Sequence, residues 1–330
     1  MTGPASTPAA SEDVLSIREL TIAFGRGGER RVVDGVSLEV RRGEIMGIIG
    51  ESGSGKTLTA LSVIGLLPHG GRVLGGEISF GGKDLLRLSQ HQLAGIRGNR
   101  IAMIFQDPTT SMNPVLRVGD QVAEPLVTHR DRSWRSARAS AVELLRKVHI
   151  PAAEQRAGAY PYQYSGGMLQ RATIAMGLAC QPELIIADEP TTALDVTIQA
   201  QVLRLLREIR ATQNAAILLI THDLGVVAEL CDRMAVMYAG RIMETGSVAD
   251  VFARPSHPYT RALLEATPRI DRDYDLESLA VLPPGGEQRS GGCRFKARCP
   301  LRFERCDEEP ELLAVDPGHA ARCWLVEAAS

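Results

Sequence analysis

The apolar residues of this chain change period along its length, and the changes separate sheet from helix. Leu15-Ser16-Ile17, Leu20-Thr21-Ile22 and Val36-Ser37-Leu38-Glu39-Val40 alternate apolar with polar, as strands with one buried face do, and a Gly-rich turn lies between them. They predict short strands of a small antiparallel sheet. Glu77-Ile78-Ser79-Phe80, closed by Gly81-Gly82, alternates in the same way. Four other stretches are unbroken apolar runs, the pattern of strands covered on both faces: Ile45 to Ile49, Ile101 to Phe105, Leu184 to Ala187 and Ile217 to Ile220. Helical stretches are expected from Leu58 to Leu67, Ala172 to Leu178 and Val196 to Ala211. Ala137, Ala141, Leu144, Leu145 and Val148 recur at helical spacing up to the breaker Pro151 and mark one face of an amphipathic helix. Buried strands alternating with helices predict an α/β fold with a parallel sheet. A helical section is expected over about residues 107–180.

The ends of the chain read differently. Residues 1–13, rich in Ala, Pro, Ser and Thr, predict a disordered arm with no signal-peptide layout. After Val251 the chain becomes Pro-rich and irregular, which places a boundary near residue 250 between a domain at 14–250 and an extension at 251–330. The 330 residues suffice for a large core, and a net charge of −2 gives no footprint for nucleic acid or for a polybasic membrane anchor. No run of eighteen apolar residues occurs, so the chain is expected to remain in the cytoplasm. Cys180 and Cys231 stand alone, whereas Cys293, Cys299, Cys306 and Cys323 crowd the tail with five, six and sixteen residues between them. In a cytosolic chain such crowding suggests metal sooner than disulfides, with buried structural thiols as the other reading.

Gly50-Glu51-Ser52-Gly53-Ser54-Gly55-Lys56-Thr57 fits the nucleotide-binding P-loop pattern, directly after an apolar run and before a helical one. Gly50, Gly53 and Gly55 let the backbone bend so that successive N–H groups, with those of Ser52 and Ser54, face phosphate oxygens, and the helix N-terminus adds its dipole. Lys56 supplies a charge for the β- and γ-phosphates, and the Thr57 hydroxyl a ligand for Mg²⁺. Leu184 to Ala187 ends in Asp188-Glu189, where ligands sit in open α/β sheets. Asp188 is suited to hold Mg²⁺ through its water shell, and Glu189 to orient or deprotonate the attacking water. Ser165-Gly166-Gly167 stands at a helix start: a second phosphate site, or an ordinary N-cap with a Gly-rich entry.

The order of the P-loop, Gln106, Ser165-Gly166-Gly167, Asp188-Glu189, Ala193-Leu194-Asp195 and Thr221-His222-Asp223 resembles the ATP-binding-cassette ATPases. The resemblance covers about Val14 to Ala249, and it implies a P-loop NTPase core with an N-terminal antiparallel β subdomain and a helical subdomain carrying the signature segment. That segment commonly reads Leu-Ser-Gly-Gly-Gln, and here Tyr164 and Met168 stand at its outer positions. It implies two cassettes packed head to tail, each ATP held between one P-loop and the other subunit's signature. It further implies that Phe24 stacks on adenine, although an aromatic at a strand end also serves as core. Gln106 would contact Mg²⁺ and water while sensing the membrane partner, His222 would reach the γ-phosphate, and Asp195 would report across the dimer.

Phe105 to Pro114, Thr191 to Gln201, His257-Pro258-Tyr259-Thr260, Gly292-Cys293-Arg294-Phe295 and Arg298-Cys299-Pro300 resemble the dipeptide, oligopeptide and nickel importer ATPases. That family implies two permease subunits, a second related ATPase forming a heterodimer, an extracytoplasmic substrate-binding protein, and a peripheral place on the cytoplasmic face of the membrane. It also implies a [4Fe–4S] cluster on Cys293, Cys299, Cys306 and Cys323, with zinc as the alternative. Zinc sites usually pair ligands as Cys-x₂₋₄-Cys, a spacing this tail lacks. An exporter cassette, a nickel or other small-solute importer, and a soluble ATPase of DNA repair or translation are the rival functions. The chain has neither the paired cassettes nor the coiled-coil insertion of the last group, and the tail favours import.

Overall fold

The computed structural model describes residues 13–25, 30–192, 194–266 and 291–328. Residues 1–12 of the expected arm and the prolines Pro283-Pro284 lie outside the described residues, and Asp13 already opens the first strand.

β1 (Asp13–Phe24) pairs antiparallel with β2 (Arg30–Arg41). The two short strands expected between Leu15 and Ile22 are one strand with a bulge. Ile17 and Leu20 are three apart, which breaks the period of two, and Glu19 absorbs the extra residue with a left-handed φ of 47°. Leu15, Ile17, Leu20 and Ile22 therefore all stay buried. Past β3 (Ile45–Ile49), β4 (Arg72–Phe80) and β5 (Lys83–Asp84) complete a four-stranded sheet in the order β2-β1-β4-β5.

The main sheet contains β6 (Ile101–Ile104), β7 (Leu184–Asp188), β8 (Ala216–Thr221), β9 (Arg233–Tyr238), β10 (Arg241–Ser247), β11 (Leu313–Asp316) and β12 (His319–Ala321). With β3 its order is β11-β12-β10-β9-β3-β8-β7-β6, and the run from β9 to β6 is parallel throughout. Every residue of β3, β7 and β8 is buried, as their unbroken apolar runs require. Phe105, expected at the end of β6, falls past it and is exposed.

Helices Pro108–Ser111, Val118–Arg130, Trp134–Lys147, Ala153–Ala157 and Gly166–Leu178 fill the region between β6 and β7. Ala137, Ala141 and Leu145 form the buried face of Trp134–Lys147.

The C-terminal segment is stitched to the core. β12 pairs with β10, so the tail extends the main sheet. Glu244 of β10, fully buried, accepts from the N–H groups of Ser256 and His257 at 2.7 and 2.9 Å and pairs with His319 Nε2 at 2.8 Å. Losing that carboxylate would orphan two backbone donors at about 1–3 kcal/mol each. Burial pushes His257 down to about 3, which keeps its ring neutral, and Nδ1 accepts the Tyr259 N–H at 2.9 Å. Tyr259 in turn packs against Tyr238 and Phe295.

Candidate active site

β3, β8 and β7 lie side by side and parallel, so the segments at their carboxyl ends converge on one edge of the sheet: the P-loop, His222-Asp223 and Asp188-Glu189. Gly50 is fixed by a close approach. A Cβ there would sit 2.0 Å from the Met237 carbonyl oxygen of β9, so the loop passes only without a side chain. Lys56 is 5% exposed, and its ammonium donates to the carbonyls of Gly50 at 2.7 Å and Glu51 at 3.0 Å. Burial lowers its pKa, opposed by the neighbouring carboxylates of Glu189, Asp188 and Glu51. Ser54 is buried, and its hydroxyl has no partner among the described residues. An unpaired buried donor at this turn suits a phosphate oxygen. Ser52 and Gly53 are exposed, with open space where a Gly53 side chain would be, and Gly55 caps the helix Lys56–Val63.

Thr57 Oγ1 donates to Asp188 Oδ1 at 3.1 Å, which joins two of the three residues expected to contact Mg²⁺. Burial, aided by the Glu189 charge, pushes Asp188 up to about 6. A dication placed there would relieve the crowding of carboxylates, so the donor set fits Mg²⁺. Glu189 takes a left-handed φ of 46°, uncommon away from glycine, while its N–H stays bonded to Ile220 O at 2.8 Å. Its carboxylate is the meeting point of three side chains. Gln106 Nε2 and Thr192 Oγ1 donate to Oε2 at 3.0 and 2.8 Å, and His222 Nδ1 lies 3.2 Å from Oε1. Thr192 is a site residue that sequence reasoning missed, since its contact to Glu189 depends on the turn between them. Asp223 caps the helix Leu224–Leu230 behind His222, and Gln199 Nε2 reaches Asp223 at 3.4 Å.

Five expected residues stand apart from this cluster. Ser165 and Gly166 are exposed, and Ser165 caps its helix by accepting from the Met168 N–H at 3.3 Å. Gly167 is required by packing: a Cβ would meet Ile198 at 2.5 Å. The departure at Tyr164 has a local cause, because its ring is buried and its hydroxyl donates to Arg156 O at 2.8 Å, which anchors the loop before Ser165. Asp195 is an exposed N-cap beside Val196, which is 83% exposed. Phe24 is half-buried at the end of β1 and leans on Gly71, so the structure gives it a packing role.

The four tail cysteines line one cavity together with His257, Phe295 and Trp324. Burial pushes the Cys293 thiol up to about 11 and raises Cys299 and Cys323. Among the described residues, no group of three or more His, Cys, Asp or Glu is gathered closely enough to hold a metal ion. His257 Nε2, buried, has no partner among the described residues.

Residues 33–192 match the ABC transporter family, and residues 243–306 match the oligopeptide/dipeptide transporter C-terminal region. The chain belongs to the ATP-binding subunits of ABC transporters, enzymes that hydrolyse ATP to drive transport. Within that class it is 51% identical over 316 residues to a probable peptide ABC transporter ATP-binding protein, y4tR of Sinorhizobium fredii, covering 94% of each chain. It is 48% identical over 318 residues to the dipeptide transport ATP-binding protein DppD of Bacillus subtilis, covering 95% of each. The dimeric, post-hydrolysis structure of the cassette MJ0796 bound to ADP and Pi is similar at a TM-score of 0.63 and 28% identity, over 71% of this chain and 98% of that one. ATP and Mg²⁺ are the ligands expected of such an enzyme, and among the described residues no helix is long and apolar enough to cross a membrane.

Proposed function

We propose that this chain is the ATPase of a peptide importer, working at the cytoplasmic face of the membrane with two permeases, a second related cassette and an extracytoplasmic binding protein. The observation that carries the catalytic reading is the Glu189 carboxylate, held by Gln106, Thr192 and His222 beside the Thr57–Asp188 pair. In this reading the P-loop N–H groups, Ser54 and Lys56 bind the β- and γ-phosphates, and Glu189 orients and deprotonates the attacking water. Thr57, Asp188 and Gln106 hold Mg²⁺, which when bound neutralises charge on the phosphate oxygens. His222 steadies Glu189 and faces the γ-phosphate, and Phe24 stacks on adenine. The exposed Ser165, Gly166 and Asp195 are left to face the second cassette, as the dimeric relative suggests. Peptide as cargo rests on the relatives' names and the C-terminal region. Affinity purification from detergent-solubilised membranes should recover two permeases, and reconstituted vesicles should take up a labelled dipeptide or oligopeptide only with ATP. Nickel uptake without peptide uptake would move the chain to the metal importers, and co-purifying ribosomes or DNA would overturn transport.

The tail cysteines are best read as ligands of a [4Fe–4S] cluster. The tail lacks the Cys-x₂₋₄-Cys pairs usual for zinc, and its resemblance to the peptide importer ATPases favours the cluster. All four line one cavity, and His257, whose Nε2 has no partner among the described residues, lines it too. Its role would be structural, pinning a tail with little core of its own. Protein purified without oxygen should be brown, with absorption near about 400 nm that disappears in Cys299→Ser or Cys306→Ser. Colourless protein with stoichiometric zinc would replace the cluster, and freely reactive thiols without metal would remove it.

A further inference from the structure

The P-loop carries a carboxylate that phosphate binding does not need. Glu51 is the second residue of the loop, and its charge reaches the Lys56 ammonium. Left unpaired, it would compete with ATP for that ammonium and repel the triphosphate. It is paired by the C-terminal tail instead. Arg298, 247 residues away in sequence, places Nη1 and Nη2 on the two Glu51 oxygens at 2.9 Å each, a bidentate fork. The Arg298 side chain is only 7% exposed; its Nη1 also bonds Tyr238 Oη at 3.2 Å, and its guanidinium lies 5.5 and 5.8 Å from the Tyr238 and Phe295 ring centres. Tyr259 takes the Glu51 N–H on its hydroxyl at 3.1 Å, and the Glu51 carbonyl accepts from Lys56 at 3.0 Å. The amide, the carbonyl and the carboxylate of this one loop residue are thus each tied, two of them by residues that follow β10.

We propose that Arg298, assisted by Tyr259, is a positioning residue of the ATP site: it cancels the Glu51 charge and fixes the entry of the P-loop, leaving Lys56 for phosphate. The tail is then part of the nucleotide site. The proposal rests on the P-loop being the phosphate site, which Lys56→Ala tests separately.

Affinity for a fluorescent ATP analogue is measured on the full-length chain. Arg298→Gln, which keeps a planar head beside Tyr238 and Phe295, should weaken binding on the order of tenfold at low salt, and less at high salt because Glu51 is 39% exposed. Adding Glu51→Gln to Arg298→Gln should restore most of the loss, because the charge to be cancelled is gone. A purely structural anchor would leave the double variant as weak as the single one. Tyr259→Phe, which keeps the ring, should weaken binding about threefold. Thermal melting reports folding, and Arg298→Met, which fills the same space beside Tyr238 and Phe295 without the charge, carries the same comparison if Arg298→Gln does not fold. Unchanged affinity in a folded Arg298 variant, or no recovery from Glu51→Gln, overturns the proposal. If Lys56→Ala also leaves affinity unchanged, the P-loop reading fails instead.

Discussion

Glu189→Gln should bind ATP as the native chain does and hydrolyse it on the order of a thousandfold more slowly. The substitution keeps the shape of a side chain that meets Gln106, Thr192 and His222 within 3.2 Å, so the surrounding geometry has no reason to move. What disappears is the basic oxygen that would take the proton of the attacking water. A loss confined to kcat marks an interaction made at the transition state, whereas a raised KM would mark simple binding. With turnover blocked and binding kept, the dimer should accumulate closed around ATP, as a faster-sedimenting species with retained nucleotide would reveal. The measurement must be made in an assembled complex whose partner site is inactive, so that only this site is read. Hydrolysis at the native rate there would remove Glu189 as the base and leave its left-handed backbone without a functional explanation.

Sequence pattern identified the parts of the site that are local in the chain. The glycines and Lys56 of the P-loop lie within eight residues, and Asp188-Glu189 ends a buried strand, so spacing alone placed them. The buried strands were legible for the same reason, since a run such as Leu184 to Ala187 can only be covered on both sides. What spacing could not give is convergence across distance. Thr192 joins Glu189 through the geometry of a turn, and Arg298 reaches Glu51 only because the tail adds β12 to β10 and folds back over β9. The tail looked like a separate extension because its prolines and glycines carry no period, yet Glu244, inconspicuous in sequence, is the carboxylate that ties it down. In β1 the alternation was broken by one residue, and a bulge at Glu19, invisible to a strict period of two, joined what looked like two strands.

Combining Ser165→Arg with Lys56→Ala in this one subunit should silence both ATP sites of a heterodimer whose partner is intact. The two residues differ in setting: Lys56 is buried in its own P-loop, while Ser165 and Gly166 lie exposed at the start of Gly166–Leu178. An exposed helix N-terminus suits a phosphate brought by another subunit. In a head-to-tail dimer the Lys56 lesion then falls on the site containing this chain's P-loop, and the Ser165 lesion on the site containing the partner's. Removing a lysine that pairs directly with phosphate weakens the first by roughly a hundredfold, and an arginine side chain at an approach sized for serine obstructs the second to a similar degree. Photo-crosslinking of labelled ATP to each subunit, with each single variant as reference, reads the sites individually. Labelling should be lost from this subunit with Lys56→Ala alone, from the partner with Ser165→Arg alone, and from both in the double variant. If the double variant lost only one label, the two lesions would belong to a single site, and the composite arrangement with Ser165 acting on the partner's nucleotide would be wrong.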